Sequence, residues 1–329
     1  VPTPFESDIA DQPDALRAFL AEPVSGALAQ VLRHDYGRIV LTGMGSSHYA
    51  ALPTWRRIVA TGRPTWWVDS GQLLDSPELI TPDTLLVMTS QSGASGEVVA
   101  LLDSVSPEAL VGVTNDSDSP LGRQAGVVVD LHSGSEATVS TKSYLNTLAA
   151  HQLLADIVAG APGPDAVAVV DAVAGFAVPT FFDELAAEIA AADSRLVYVG
   201  FNDHAATSLY AGLITKEGAK IPADGYAGGQ FRHGPLELAG PGLTAVLFNG
   251  DRDNAPLNQL AADLLATGSA VVTVGTADGV APNIPGPSGL LAQLAHGALV
   301  AQHLTVAVAR ARGITPGAFA YGSKITASL

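Results

Sequence analysis

The chain has 329 residues, no cysteine, and 32 acidic side chains against 16 lysines and arginines, a net charge of −16. These counts exclude a disulfide scaffold, a thiol nucleophile and any thiolate metal site, and the acidic balance leaves no diffuse positive field for nucleic acid or anionic lipid. At about 150 residues per domain the length fits two domains, and an anionic ligand would need a local cradle of backbone N–H groups, hydroxyls or a rare lysine.

The N-terminal stretch is acidic, contains proline and lacks the basic and apolar blocks of a signal peptide, so a cytoplasmic location is expected. Ile9 to Leu32 spaces Ala, Leu and Gln with Asp and Glu and predicts one or two helices. Arg38 to Thr42 reads as a short strand stopped by Gly43 and Gly45, where glycine lets the chain turn sharply. His48 to Ala60 has helical apolar spacing with Pro53 near its first turn, and a further strand ends near Val68, before Asp69. Thr84 to Met88 is a strand, Thr89 to Gly96 a loop of small residues, and Glu97 to Asp103 the start of a helix. Val111 to Thr114 and Val127 to Leu131 are short strands, and Lys142 to Val158 is a long helix.

The run Ala159 to Pro164 breaks this pattern with Ala-Gly-Ala-Pro-Gly-Pro, and a helix pair from Asp165 to Ala192 opens a second round. Strand Leu196 to Gly200, helix Ala205 to Lys216, strand Leu243 to Phe248, helix Leu257 to Thr267, strand Ala270 to Gly275 and a long helix from Pro287 follow. The apolar run Leu290 to Val308 contains Gln293, His296, Gln302 and His303, which suits a buried helix better than a membrane span. The tail Thr315 to Leu329 is too rich in small residues to predict a helix. Strands alternating with helices argue an α/β fold with parallel sheets covered on both faces. Glycine directly after the first strand of each half, at Gly43 and Gly200, reads as a weak internal repeat of one α/β unit. The expected boundaries are a helical segment over 1–24, domains over 25–160 and 161–312, and a tail over 313–329.

The sharpest chemical signal is Ser90-Gln91-Ser92-Gly93-Ala94-Ser95-Gly96-Glu97, between an apolar strand and a helix. Hydroxyls, glycines and a helix N-terminus converge there, a nest able to take phosphate oxygens without a positive side chain. The plain alternative is a Ser/Gly turn with Ser95 as N-cap. Gly43-Met44-Gly45-Ser46-Ser47-His48 repeats the design one strand earlier, and His48 stands where a dinucleotide fingerprint needs its third glycine. Lysine is scarce, with Lys142, Lys216, Lys220 and Lys324 the whole set. Glu217, at the expected end of a helix, is either a solvated charge or a carboxylate aimed into a pocket, where burial without an ion partner would raise its pKa. His233 sits in Gly228-Gly229-Gln230-Phe231-Arg232-His233-Gly234-Pro235, an irregular setting that fits a functional or a plain surface histidine equally. No HxH, HExxH or Gly-x-Ser-x-Gly spacing is present, so neither a metal or other cofactor nor serine-hydrolase chemistry is expected.

Taken together, GMGSSHYA (43–50), TSQSGASGE (89–97), GSEATVSTKSY (134–144), TKEGAK (215–220), GGQFRHGPLEL (228–238) and the terminal GSK (322–324) resemble the double-SIS (sugar isomerase) family. The arrangement is similar to the isomerase half of glutamine:fructose-6-phosphate amidotransferase. The resemblance runs from about Asp11 to the C-terminus and implies two flavodoxin-like αβα sandwiches. It implies that Ser47, Ser90, Gln91, Ser92 and Ser95 hold a sugar 6-phosphate, with Ser46 beside them a further candidate for phosphate or sugar binding, and that Glu136, Val139 and Ser140 contact the sugar. It further implies that Glu217 moves a proton between C1 and C2. His233 would open the ring from the neighbouring subunit of a homodimer, and Lys324 would form a Schiff base with the open ketose. Three departures stand out: Ile214 replaces a family lysine, Ala94 a glutamate of the phosphate loop, and Phe319-Ala320 an arginine-asparagine pair. With no cysteine to release ammonia from glutamine, glutaminase activity is not expected of this chain. Isomerase or deaminase action on a hexosamine 6-phosphate is the expected function. A fructosamine-6-phosphate deglycase and a non-catalytic phosphosugar-binding regulator are the alternatives, with no nucleic-acid or membrane partner.

Overall fold

The computed structural model describes residues 1–250, 254–275 and 281–324. The chain divides into two compact units. Among the described residues, the first unit comprises Gln12–Glu136, Lys142–Ala166 and 321–324; the second comprises Val1–Asp11, Ala137–Thr141 and residues between Val167 and Ala320.

In the first unit, strands β1 (Arg38–Gly43), β2 (Thr65–Trp67), β3 (Thr84–Thr89), β4 (Ala109–Thr114) and β5 (Val127–Asp130) form one sheet in the order β2-β1-β3-β4-β5. All pairings are parallel. The central strand β3 is buried on both faces, which is why it reads as an unbroken apolar run rather than an alternation. Val40, Leu86 and Met88 from the sheet pack against Val98, Leu101 and Leu121 on one side. Helix Lys142–Ala159, buried over most of its length, packs against helices Gln12–Ala21 and Leu52–Val59.

The second unit repeats this plan. Strands β6 (Arg195–Gly200), β7 (Ala223–Ala227), β8 (Leu243–Phe248), β9 (Ala270–Val274) and β10 (Asn283–Ile284) pair in parallel in the order β7-β6-β8-β9-β10. Reading strands by their place in each unit, both sheets have the order 2-1-3-4-5, so the repeat suggested by Gly43 and Gly200 is a repeat of topology. In this order successive strands are added in opposite directions on either side of the first and third strands, opening a crevice beyond their carboxyl ends where ligands of open α/β sheets bind.

Several elements differ from the sequence expectation. Residues 9–32 hold parts of three helices, Pro4–Ala10, Gln12–Ala21 and Gly26–Arg33, separated by caps at Asp11 and Ser25. The expected helix over His48 to Ala60 is two, Gly45–Ala50 and Leu52–Val59, with Pro53 in the first turn of the second, where its missing N–H costs nothing. Helix Ala205–Ala219 runs past Lys216 and stops at Lys220 in the left-handed region. Gly218 stays helical because it lies against helix Leu290–Ala311, where a Cβ would come within 2.5 Å of Thr305. That last helix is the one described element long and apolar enough to cross a membrane, and 83% of its most apolar window is buried inside the protein.

Candidate functional site

Gly43 ends β1 against the end of β3: a Cβ there would lie 2.8 Å from the Thr89 carbonyl oxygen. This close approach brings the two serine segments to the same crevice. Ser46 and Ser47 follow β1 in the first turn of helix Gly45–Ala50, with both side chains half-buried. Ser90 follows β3, and the Ser90–Ser95 loop leads into helix Gly96–Ser104.

That loop is shaped by its own hydroxyls. Ser90 is buried and its Oγ accepts from Gly93 N at 3.1 Å, which leaves its proton to donate. Ser92 Oγ accepts from Ala94 N. Gly93 takes φ +60°, and a Cβ there would come 2.0 Å from Ser119 Oγ. The far side of the loop is stapled to β4 and beyond, by Ser90 N to Val113 O, Asn115 N to Gln91 O, and Leu121 N to Gly93 O, each at 3.0 Å. Ser95 occupies the N-cap position but its hydroxyl makes no capping bond. The helix therefore presents its first N–H groups and a half-buried serine together, the donor set an anion needs.

Two histidines lie near these strand ends, and burial keeps both neutral. His48 stacks on Trp67 with ring centroids 4.1 Å apart, and desolvation lowers its pKa to about 4 against the opposing pull of Asp69. His151, from helix Lys142–Ala159, places Nε2 2.9 Å from Thr89 Oγ1, and burial lowers its pKa to about 3. Neither was singled out for a role by spacing alone; the His151 contact spans 62 positions and leaves no local signal.

The same carboxyl edge carries a buried ion pair. Beyond β5, Glu136 has a fully buried side chain whose Oε1 accepts from Ser143 N at 3.1 Å and whose Oε2 accepts from Ser143 Oγ at 2.6 Å. Lys324 Nζ also donates to Glu136 Oε2. Two residues read separately from sequence are therefore in direct contact. Lys142, one position before Ser143, is buried and donates from Nζ to Ser135 O at 2.8 Å.

The second unit holds Val139, Ser140, Glu217 and His233. Val139 is buried, and the Ser140 carbonyl accepts from the buried Tyr210 hydroxyl at 2.7 Å, itself held by Gln302. Tyr210 and Glu217 are seven residues apart on helix Ala205–Ala219, which places them on one face about 10 Å apart along the axis. Glu217 is half-buried and faces a cation: burial lowers the Lys220 pKa while the Glu217 charge raises it. Glu217 is thus a partly shielded carboxylate close enough to Lys220 to act on its charge. Ile214 is core, 1% exposed.

His233 is exposed and lies beyond the carboxyl end of β7, between short 3-10 turns Gly228–Arg232 and Pro235–Leu238. Glu217 lies at the other end of the second sheet, because its 15-residue helix runs about 22 Å back from the carboxyl end of β6 to the start of β7. Within this unit the structure does not bring Glu217 and His233 together. Among the described residues no cluster of three or more His, Asp or Glu side chains is suited to a metal ion.

Comparison with known proteins bears on the fold that carries these residues. The SIS domain family model matches residues 33–157. The glutamine–fructose-6-phosphate aminotransferase (isomerizing) of Pyrococcus horikoshii is 29% identical over 257 residues, covering 73% of this chain and 42% of that protein, so the chain spans less than half the length of that relative. Among solved structures, the C-terminal domain of glucosamine-fructose-6-phosphate aminotransferase from Francisella tularensis superposes with a TM-score of 0.80 at 17% identity, over 95% of this chain and 97% of that one. The glucosamine-6-phosphate deaminase from Thermotoga maritima superposes with a TM-score of 0.78 at 21% identity, over 98% and 99%. These likenesses establish the fold across both units. The chain is similar to the SIS domain family over residues 33–157, and over both units it shares the fold of the C-terminal domain of glucosamine-fructose-6-phosphate aminotransferase.

Proposed function

We propose that this chain is a phosphosugar isomerase that acts as a deaminase on a hexosamine 6-phosphate. The observation that carries the reading is the serine loop, stapled to β4 on one side and presenting Ser95 and an uncapped helix N-terminus on the other. Such a cradle suits a phosphate on a protein whose net charge repels anions at long range. The phosphate is remote from the chemistry and supplies binding energy that holds the open chain in place.

In this reading His233 of a second copy opens the ring. Glu217 takes the proton from C2 and returns it to C1 while one proton of the substrate's ammonium passes to O1, leaving an iminium at C2. Lys324 Nζ adds to C2 and expels ammonia; water then releases the ketose phosphate and frees the amine. Ser46, Ser47, Ser90, Gln91, Ser92 and Ser95 hold the phosphate, and Glu136, Val139 and Ser140 line the sugar.

A panel of hexosamine, fructosamine and plain hexose 6-phosphates, followed by NMR in deuterated buffer, tests this. Ammonia with ketose phosphate is the expected product of a hexosamine 6-phosphate. A free amino acid from a fructosamine 6-phosphate would move the assignment to a deglycase, and binding without turnover would sink catalysis altogether. Glu217→Gln should lose C2 deuterium exchange at least 100-fold while binding inorganic phosphate within twofold of the parent.

A further inference from the structure

The groups assigned above to phosphate and to imine chemistry in the first unit are joined by a residue that neither role uses, one group held by its backbone and the other by its side chain. Asn115 follows β4 and donates its backbone N–H to Gln91 O at 3.0 Å, inside the serine loop. Its Oδ1 accepts from both Ser133 N and Ser133 Oγ at 2.9 Å, and its Nδ2 donates to Gly134 O at 2.9 Å. The amide is thus turned wholly toward the loop that leads to Glu136. The next two residues of that loop are clamped from the other side, Ser135 by Lys142 and Glu136 by Ser143. Four successive residues are each held by a side chain, and Asn115 is the one of these clamps that also grips the serine loop. Lys324 reaches the assembly through Glu136.

We propose that Asn115 is a positioning residue that keeps the Glu136–Lys324 pair in register with the serine loop, so that a phosphate in the loop tightens the hold on the lysine. This rests on the phosphosugar reading, since it needs an anion in the loop. A plain loop staple would stabilise the fold and do nothing more. A register device makes Lys324 sensitive to the occupancy of a loop it does not touch.

The test compares the parent chain with Asn115→Ala and Asn115→Asp. The aspartate keeps the acceptor for Ser133 and loses the donor to Gly134. Three quantities are measured: inorganic phosphate affinity by calorimetry, the rate of reductive methylation at Lys324 by mass spectrometry with and without phosphate, and kcat and KM on the substrate found above. In the parent, phosphate should slow methylation of Lys324 at least threefold. In Asn115→Ala that response should vanish while phosphate affinity stays within about twofold, kcat falls about tenfold and KM changes little; Asn115→Asp should fall between. Should Asn115→Ala not fold, Ser133→Ala, which removes one donor to the same oxygen, should weaken the methylation response. Retention of the full phosphate response in the variants overturns the inference alone, as does loss of phosphate affinity in them, which would make Asn115 part of the anion cradle. A parent that binds neither phosphate nor phosphosugar overturns the functional reading, and the inference with it.

Discussion

At the scale of single residues, the serine loop depends on one backbone angle. Gly93 sits at φ +60° with Ser119 Oγ and Thr114 Oγ1 where a Cβ would go, so Gly93→Ala meets both strain and collision. We expect it to cost about 2 kcal/mol of stability and to weaken phosphate binding more than tenfold, read by thermal melting and calorimetry; wild-type affinity in a folded Gly93→Ala would remove the loop from the anion site. The loop itself was legible in the sequence because everything it needs is local: small residues, hydroxyls and a following helix within eight positions. Asn115 and His151 were not legible, because their meaning lies in partners 18 or more positions away and their types are ordinary for a turn and a helix. The pairing of Lys324 with Glu136 spans 188 positions, and no spacing rule could have joined them.

At the scale of elements, helix Ala205–Ala219 carries both Tyr210 and Glu217, and its seat on β7 is set by two glycines. A Cβ on Gly212 would come 2.6 Å from Gly225 N, and one on Gly225 would come 2.1 Å from Ser208 O. Backbone meets backbone there, so no side chain can rotate away to make room. Gly225→Ala should therefore push the helix off the strand, costing about 3 kcal/mol as overpacking, with Glu217-dependent C2 exchange lost in parallel; an unperturbed melting point would show that the helix is free to shift. This contact also explains why β7 escaped the sequence reading. Its Ala-Asp-Gly-Tyr-Ala has neither an apolar run nor an alternation, and it is a strand because β6 pairs with it residue for residue from Leu196↔Ala223 to Gly200↔Ala227. β10 is two residues long and escaped for the same reason, its partner β9 supplying what its own composition does not. The central strands β1, β3, β6 and β8 were legible because burial on both faces writes itself directly into composition.

At the scale of the whole molecule, one α/β plan appears twice with divergent contents, and the two copies can be followed separately. All three tryptophans, Trp55, Trp66 and Trp67, belong to the first unit, so their fluorescence probes that unit. That unit also buries His48 and His151 with pKa values lowered to about 4 and about 3. The sign follows directly: an unfolded histidine titrates near 6.5, so below that pH the unfolded chain binds protons that the folded unit refuses, and stability falls with pH until the folded values are reached. Each such proton contributes about 1.4 kcal/mol per pH unit, so the pair should make the first unit lose roughly 2.7 kcal/mol per unit near pH 5 and leave it insensitive above about pH 7. Urea titrations followed by tryptophan fluorescence at pH 7, 6 and 5 measure this slope. His151→Asn should reduce it by about 1.4 kcal/mol per pH unit, whatever that substitution does to stability at neutral pH. An unchanged slope would mean that the imidazole beneath Thr89 takes up its proton in the folded protein, and that the end of β3 tolerates a charge directly under the serine loop.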